Sequence, residues 1–195
     1  MSILFPSDSM DAASDLSLRK RYSTALLQGE ILIETQMRST WGGAVTAQMY
    51  LPIERSRVWQ QVTDYPRWVQ YFPDVIHSEV LNPNVSVPVG LPEGTSSKSV
   101  YQVATKTFLF LSIQVEAYLR VSEIVQQQIH FRLEKGTFTD FCADLSLQDY
   151  ENGTLLTYTV KATPNIPVPA IFIEQAMQLE LPVNMRTMRQ VMCAS

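Results

Sequence analysis

The sequence is poor in the side chains on which most catalysis and metal binding rest. Its 195 residues hold two histidines and two cysteines. Cys142 and Cys193 lie far apart with no metal-ligand spacing, and read as reduced thiols in a reducing compartment. No Ser-His-Asp spacing, no metal-ligand cluster and no glycine-rich phosphate loop is present, so the sequence implies neither a metal nor a cofactor. A basic excess is missing too: 15 Lys and Arg stand against 19 Asp and Glu, a net charge of −4. A nucleic-acid binder usually presents a basic surface, so that class is excluded. No apolar run approaches the ~20 residues of a membrane span. The opening MSILFPSDSMDAASD has neither a basic start nor a long apolar stretch. No secretory signal is therefore expected, and the cytoplasm is the expected location, with transient peripheral contact with a membrane left open.

What is present is an apolar fraction of 46%, enough for the core of one domain with a decorated end. The first 20 residues are rich in Ser and Asp and lack periodicity, and the flexible tail they begin is read as running to residue 28. Arg19, Lys20 and Arg21 form a small basic cluster, either a solvated charge run or a contact for anionic lipid. Gly29–Met37 reads as a strand. Thr40-Trp41-Gly42-Gly43 reads as a turn or bulge. Val45, Ala47, Met49 and Leu51 then alternate with polar positions, as a half-buried strand does.

Ser56–Leu81 is the densest stretch. Val58, Trp59 and Val62 share one face of a short helix. Asp64 is placed as the N-cap of a second helix, with Pro66 in its first turn. Trp68, Val69, Tyr71 and Phe72 give that helix its apolar side, and Val75–Leu81 follows as a strand. The segment from Asn82 to Gly94, rich in Pro and Gly, is a long loop. Five strands follow: Ser97–Lys106, Phe110–Ile124, Gln127–Glu134, Phe138–Asp149 and Leu155–Ala162. Their alternation predicts an antiparallel sheet with one covered face. Glu151-Asn152-Gly153 reads as a hairpin turn with its glycine at positive φ. After the Pro-rich link 164–169 comes a long helix over 170–192. Its stripe of Ile173, Met177, Leu181, Met188 and Val191 is flanked by Met185 and Met192, and Pro182 on the other face is expected to kink it. This helix alone is long and apolar enough to cover the sheet.

Three segments resemble one family. Val58-Trp59, Thr63-Asp64-Tyr65-Pro66, Phe72-Pro73-Asp74-Val75 and Ser78-Glu79-Val80-Leu81 together resemble the N-terminal signature of START-like polyketide cyclase/dehydrase and coenzyme-Q-binding proteins. Leu181-Pro182-Val183-Asn184-Met185-Arg186-Thr187-Met188-Arg189 is similar to the family's C-terminal motif. The strand pattern between them also fits, so the resemblance covers about residues 29–192. It implies an α+β helix-grip fold. A curved antiparallel sheet of six to seven strands wraps a long C-terminal helix, and two short helices plug one end. Residues 29–195 would form the START-like ligand-binding domain, with an apolar cavity between helix and sheet. Relatives of this kind carry lipids, quinones, sterols or polyketides, and some are aromatase/cyclases.

The candidate ligand-binding residues follow from that picture. The helix supplies Ile173, Met177, Glu180, Leu181 and Met188, and the sheet supplies Leu111, Ile113, Val115, Phe131, Phe141 and Leu145. Trp59, Trp68 and Phe72 come from the plug. The methionines either fill the core or also line a cavity, where thioethers repack around varied shapes. Trp59 and Trp68 are packing anchors that stand at the cavity's end. Glu180 falls near the centre of the helical stripe and is left with three roles: pairing with an arginine, moving to the rim, or holding a ligand's polar group. His130 is expected on the wetter face, and His77 near the cavity end.

Three functions are weighed on this basis. The leading one is a carrier of a hydrophobic small molecule, quinone- or isoprenoid-like. The second is a cyclase or dehydrase, which needs an inward acid/base pair drawn from His77, Glu180, Glu116, Tyr101 and Tyr118. Alternation turns Glu116 and Tyr118 outward, and no residue is assigned as catalytic. The third is an assembly module using the 82–94 loop and the basic cluster. The oligomeric state is not written in the sequence.

Overall fold

The computed structural model describes residues 20–39, 42–108, 111–165 and 170–194. A helix over 20–27 (α1) leads into β1 (Leu32–Ser39) and β2 (Gly42–Leu51). Then come α2 (Arg55–Val62), a tight 3-10 turn (Tyr65–Arg67) and α3 (Trp68–Tyr71). Six strands follow: β3 (Val75–Asn82), β4 (Ser96–Phe108), β5 (Leu111–Ile124), β6 (Gln128–Gly136), β7 (Phe138–Tyr150) and β8 (Gly153–Pro164). The described chain closes with α4 (Ala170–Cys193).

All strands join one antiparallel sheet of eight in the order β1-β2-β8-β7-β6-β5-β4-β3. This is the helix-grip architecture expected, with one strand more than the six to seven implied. The extra strand is β1, an edge strand that among the described residues pairs only with β2. The alternation read from sequence sets the covered face. Val45, Ala47, Met49 and Leu51 are fully buried. In register they meet Val160, Tyr158 and Leu156 of β8, then Ala143, Leu145 and Leu147 of β7. Phe131 and Ile129 of β6 continue the rows.

Three local expectations change. The tail expectation fails for residues 20–27, which are helical and bury Leu26. Tyr150 donates from its hydroxyl to Ser23 Oγ at 2.6 Å, pinning α1 to β7. Gly29, at φ 88°, ends the helix: Glu30 N–H reaches back to Ala25 O at 3.0 Å and Gly29 N–H to Leu26 O at 2.9 Å, a Schellman closure. Asp64 stands at the cap position of the 3-10 turn but makes no side-chain cap bond. In the β7–β8 turn the positive φ belongs to Glu151, at 49°, not to Gly153. Gly153 is needed for space, since a Cβ there would lie 2.2 Å from Leu51 O. The expected turn at 40–43 falls partly outside the described residues, and Gly42 and Gly43 open β2.

The cover over the sheet is shared rather than left to α4. That helix runs through Pro182 and lies chiefly over β2, touching β1 and α3. Its buried stripe is Leu181, Met185, Met188 and Met192, at i, i+4, i+7 and i+11. Met185 and Met192, expected as flanks, are thus central, and Val191 is only partly buried. Arg189 Nε donates to Tyr50 O at 3.1 Å and Gln178 Nε2 to Thr35 Oγ1 at 2.9 Å, fixing the helix along β1 and β2. The two short helices and the turn between them cover the rest, α2 over β7 and β8 and the turn and α3 toward the edge strand β3. Among the described residues no helix is long and apolar enough to cross a membrane.

Candidate functional site

Burial along the concave face is graded. At the end bearing the 124–128 and 150–153 turns, Val121, Ile129, Leu145 and Leu156 are sealed. Along the same strands toward the opposite hairpin tips, the concave residues become half-buried: Val115 and Ala117 on β5, Leu133 on β6, Phe141 on β7, Val160 and Ala162 on β8. Ala104 on β4 behaves likewise. The result is an apolar groove, closed at its base and accessible toward the tips.

The plug forms the inner wall of this groove. Trp68 Nε1–H donates to Val62 O at 2.9 Å, folding the second short helix back on the first. Tyr71 donates from its hydroxyl to Gln61 O at 3.2 Å. Gln61 Nε2 in turn donates to Met192 O at 3.3 Å, which ties the plug to the end of α4. The indole of Trp68 stacks on Phe72 (ring centres 5.2 Å apart, planes at 17°) and packs on Phe131 at 5.0 Å. Tyr158 meets both Trp68 and Phe72, at 6.3 and 6.0 Å. Such aromatic contacts add ~0.5–1.5 kcal/mol per pair beyond area burial.

Beneath the plug lies a polar cluster that the sequence reading did not identify. Glu123 continues the inward series of β5 after Leu119 and Val121, and only 7% of its side chain is exposed. Its Oε1 accepts from the Tyr65 hydroxyl at 2.5 Å and from Lys98 Nζ at 2.7 Å, and its Oε2 accepts from Ser96 Oγ at 3.2 Å. Ser78 donates to Tyr65 O at 2.7 Å. A charge in an apolar register slot was the available signal, because a buried carboxylate requires partners. Burial, then the Glu123 charge and hydrogen bond, raise the Tyr65 pKa far above the usual phenol range. Burial pushes Tyr71 up to about 12, the nearby Arg67 opposing and Asp64 assisting. Burial, with a small contribution from Asp144, raises Tyr158 as well.

The expected site residues divide. Phe131 and Leu145 of the sheet, Leu181 and Met188 of α4 and Trp68 of the plug are all buried in the core. Val115, Phe141 and Phe72 line the half-buried groove. Trp59 packs partly buried on the core's edge. The side chains of Leu111, Ile113, Ile173 and Met177 lie outside those the structure describes. Glu180 is partly buried and engaged, but lies roughly a third of a turn off the centre of the buried stripe, not at it.

The proposed acid/base candidates on the strands face away from the groove. His77, expected near the cavity end, is half-exposed on the convex face, 3.3 Å from Glu79 and against the ring of Tyr101 at 5.8 Å. Tyr101 packs on Tyr118 at 4.6 Å, and Glu116 belongs to the same outward side. His130 is on the convex face as expected, its Nδ1 2.7 Å from Asp144, which Arg132 also holds at 2.9 Å. Among the described residues no three His, Cys, Asp or Glu side chains are placed to hold a metal. A separate polar cleft of about 350 Å³ opens at the base of the sheet beside the Arg55–Asp149 ion pair.

A sheet gripping a long helix, plugged by two short ones over an apolar groove, defines a START-like protein. Residues 51–189 match the family described as polyketide cyclase / dehydrase and lipid transport, and the chain belongs to that family. No curated protein sequence matches the chain. Among solved structures it is similar to a START superfamily protein from Mycobacterium smegmatis, with TM-score 0.59 and 16% identity over 78% of this chain and 99% of that one. It is similar to a STAR-related lipid transfer protein from Xanthomonas axonopodis, with TM-score 0.55 and 13% identity over 82% and 98%. The Zhui aromatase/cyclase from Streptomyces sp. R1128 gives TM-score 0.56 and 11% identity over 78% and 92%. At these identities the likeness is one of fold.

Proposed function

We propose that the protein binds a hydrophobic small molecule, quinone-, isoprenoid- or lipid-like, in the groove between α4, the plug and the concave sheet, and carries it unchanged. Residues 29–195 act as the binding domain. We place the protein in the cytoplasm, meeting membranes only at their surface to exchange its cargo. The observation that carries this reading is the burial gradient: the apolar face sealed at Ile129 and Leu145 is left half-exposed at Val160, Phe141 and Leu133. Covering such a surface contributes ~0.8 kcal/mol per buried methylene, so one prenyl unit supplies ~3–4 kcal/mol. The family description, which includes lipid transport, supports the same class of ligand. Mass spectrometry of organic extracts of the native protein, with lipid titrations, tests it. The reading fails when no apolar molecule co-purifies or binds.

One observation favours a second reading. Lys98, Glu123 and Tyr65 are ionisable groups on the concave side, the placement a cyclase or dehydrase would need. Incubation with a reactive poly-β-ketone thioester decides it. A dehydrated ring product formed by the wild type and lost in Glu123→Gln supports catalysis; unchanged substrate leaves the carrier reading alone.

A further inference from the structure

The hydroxyls on the described concave face have their partners, with one exception. Tyr65 donates to Glu123, Ser78 to Tyr65 O, Ser96 to Glu123, and Thr154 to Ile53 O at 2.7 Å. The Tyr158 hydroxyl enters no hydrogen bond among the described residues, although the residue is only 6% exposed. The residue is largely covered but its hydroxyl oxygen is not sealed off, so it opens on the accessible part of the groove, where water or a ligand's acceptor completes its hydrogen bonding. Its place is specific. Tyr158 lies in the row Ala47–Tyr158–Leu145, and the next concave residue on its strand, Val160, begins the half-exposed groove. Beside it stand the stacked rings of Trp68 and the half-buried Phe72.

We propose that Tyr158 is the polar anchor of the groove, donating its hydroxyl proton to a carbonyl oxygen on a planar ring that lies against the accessible side of Phe72. This rests on the carrier reading and names the ligand's chemistry: a flat ring bearing a carbonyl, as in a quinone headgroup or an aromatic polyketide. The hydroxyl is a donor because burial keeps the phenol neutral. Phe72, backed by the stacked and buried Trp68, supplies a flat surface that a ring covers better than a flexible alkyl chain does.

The test uses displacement of a fluorescent apolar dye by three probes: decyl-benzoquinone, tail-less anthraquinone and decylbenzene. The wild type should prefer a carbonyl-bearing ring over decylbenzene by about tenfold, and Tyr158→Phe should remove that preference while moving decylbenzene less than about twofold. A preference confined to the tailed quinone points to a quinone lipid, and one shared with anthraquinone to a polycyclic ring. Because the hydroxyl has no protein partner, Tyr158→Phe should leave the apo thermal midpoint unlowered, whereas a drop would mean a structural bond and overturn the proposal. Phe72→Leu, at a half-exposed position, should narrow the same preference without touching the hydroxyl. Equal losses on all arms, or none, overturn the anchor while the carrier reading stands. If neither the dye nor any probe binds the wild type, the carrier reading itself fails and takes the anchor with it.

Discussion

The Tyr65 hydroxyl donates to Glu123 Oε1 at 2.5 Å, and so joins the turn between the two short helices to the floor of the sheet. The two residues are 58 apart in sequence. The bond also explains how a charge is tolerated inside: Glu123 has Tyr65, Lys98 and Ser96 as donors, and Lys98 Nζ further lies 5.4 Å from the Tyr65 ring centre. The plug is thus held by a satisfied polar cluster as well as by its aromatic rings.

Removing one member should therefore cost more than an ordinary surface contact. Tyr65→Phe keeps the ring and deletes the donor, and is expected to lose ~1.5–3 kcal/mol, the value of a hydrogen bond to a charged group. Glu123→Leu leaves Lys98 without its counter-charge and should lose ~3–5 kcal/mol, while adding Lys98→Met should recover most of that. Urea unfolding of the three variants measures this. Equal stability of Tyr65→Phe and wild type would show that the bond does not hold the plug.

Three interior tyrosines make the fold sensitive to alkali. Tyr65, Tyr71 and Tyr158 all hold their protons more tightly folded than unfolded, where the phenol titrates near 10.0. Below pH 10 both states are protonated, and these groups contribute their full stability. Above it the unfolded chain ionises while the folded one does not, so stability is lost as pH rises. Tyr65 and Tyr158 should each remove ~1.4 kcal/mol per pH unit. Tyr71, pushed up to about 12, adds a smaller share until it ionises in place. Urea unfolding across this range measures the slope, and Tyr158→Phe should flatten it by about one proton's worth. A stability unchanged to about pH 11 would contradict this.

The strands were legible because period-two alternation is a local signal. Val45, Ala47, Met49 and Leu51 showed it plainly, and so did Ile129, His130 and Phe131. The helical stripe was legible as a stripe but not in its centre. Apolar residues occupy a wide arc of α4, and only contact with β2 shows that Met185 and Met192 are innermost. The helix at 20–27 was hidden because its apolar content is small and its anchor, Tyr150, is 127 residues away from Ser23. The Lys98–Glu123 pair and the unpartnered Tyr158 hydroxyl were hidden for the same reason. Which polar group meets which is decided by sheet register, and register is a property of pairs of strands.

The turn between β7 and β8 reverses the roles expected of its residues. Glu151 carries the left-handed φ of 49°, while Gly153 is the one crowded by Leu51 O and the Tyr50 ring. Gly153→Ala should lose ~1–3 kcal/mol through overpacking. Glu151→Gly should be neutral or stabilising, because relief of an αL side chain at ~1–2 kcal/mol offsets the added chain entropy. Thermal unfolding of the two variants separates them. The opposite order would mean that conformation, not space, selects glycine here.

Blocking the groove without disturbing the sealed core isolates the binding surface. Ala117 faces the concave side at the accessible end of β5, half-buried and paired with Gln102 of β4 and Gly136 of β6. Ala117→Phe places a ring where the ligand would lie, and Met188→Ala opens a void in the fully covered stripe of α4. The first should weaken an apolar ligand by at least ~10-fold with a stability change under ~1 kcal/mol, since the added ring fills accessible space. The second should lose ~2–5 kcal/mol of stability as a core truncation and change affinity little once the folded fraction is accounted for. Titration of both variants with decyl-benzoquinone, beside their urea unfolding curves, reads the two effects separately. Unchanged affinity in Ala117→Phe would place the ligand elsewhere than the accessible half of the concave face.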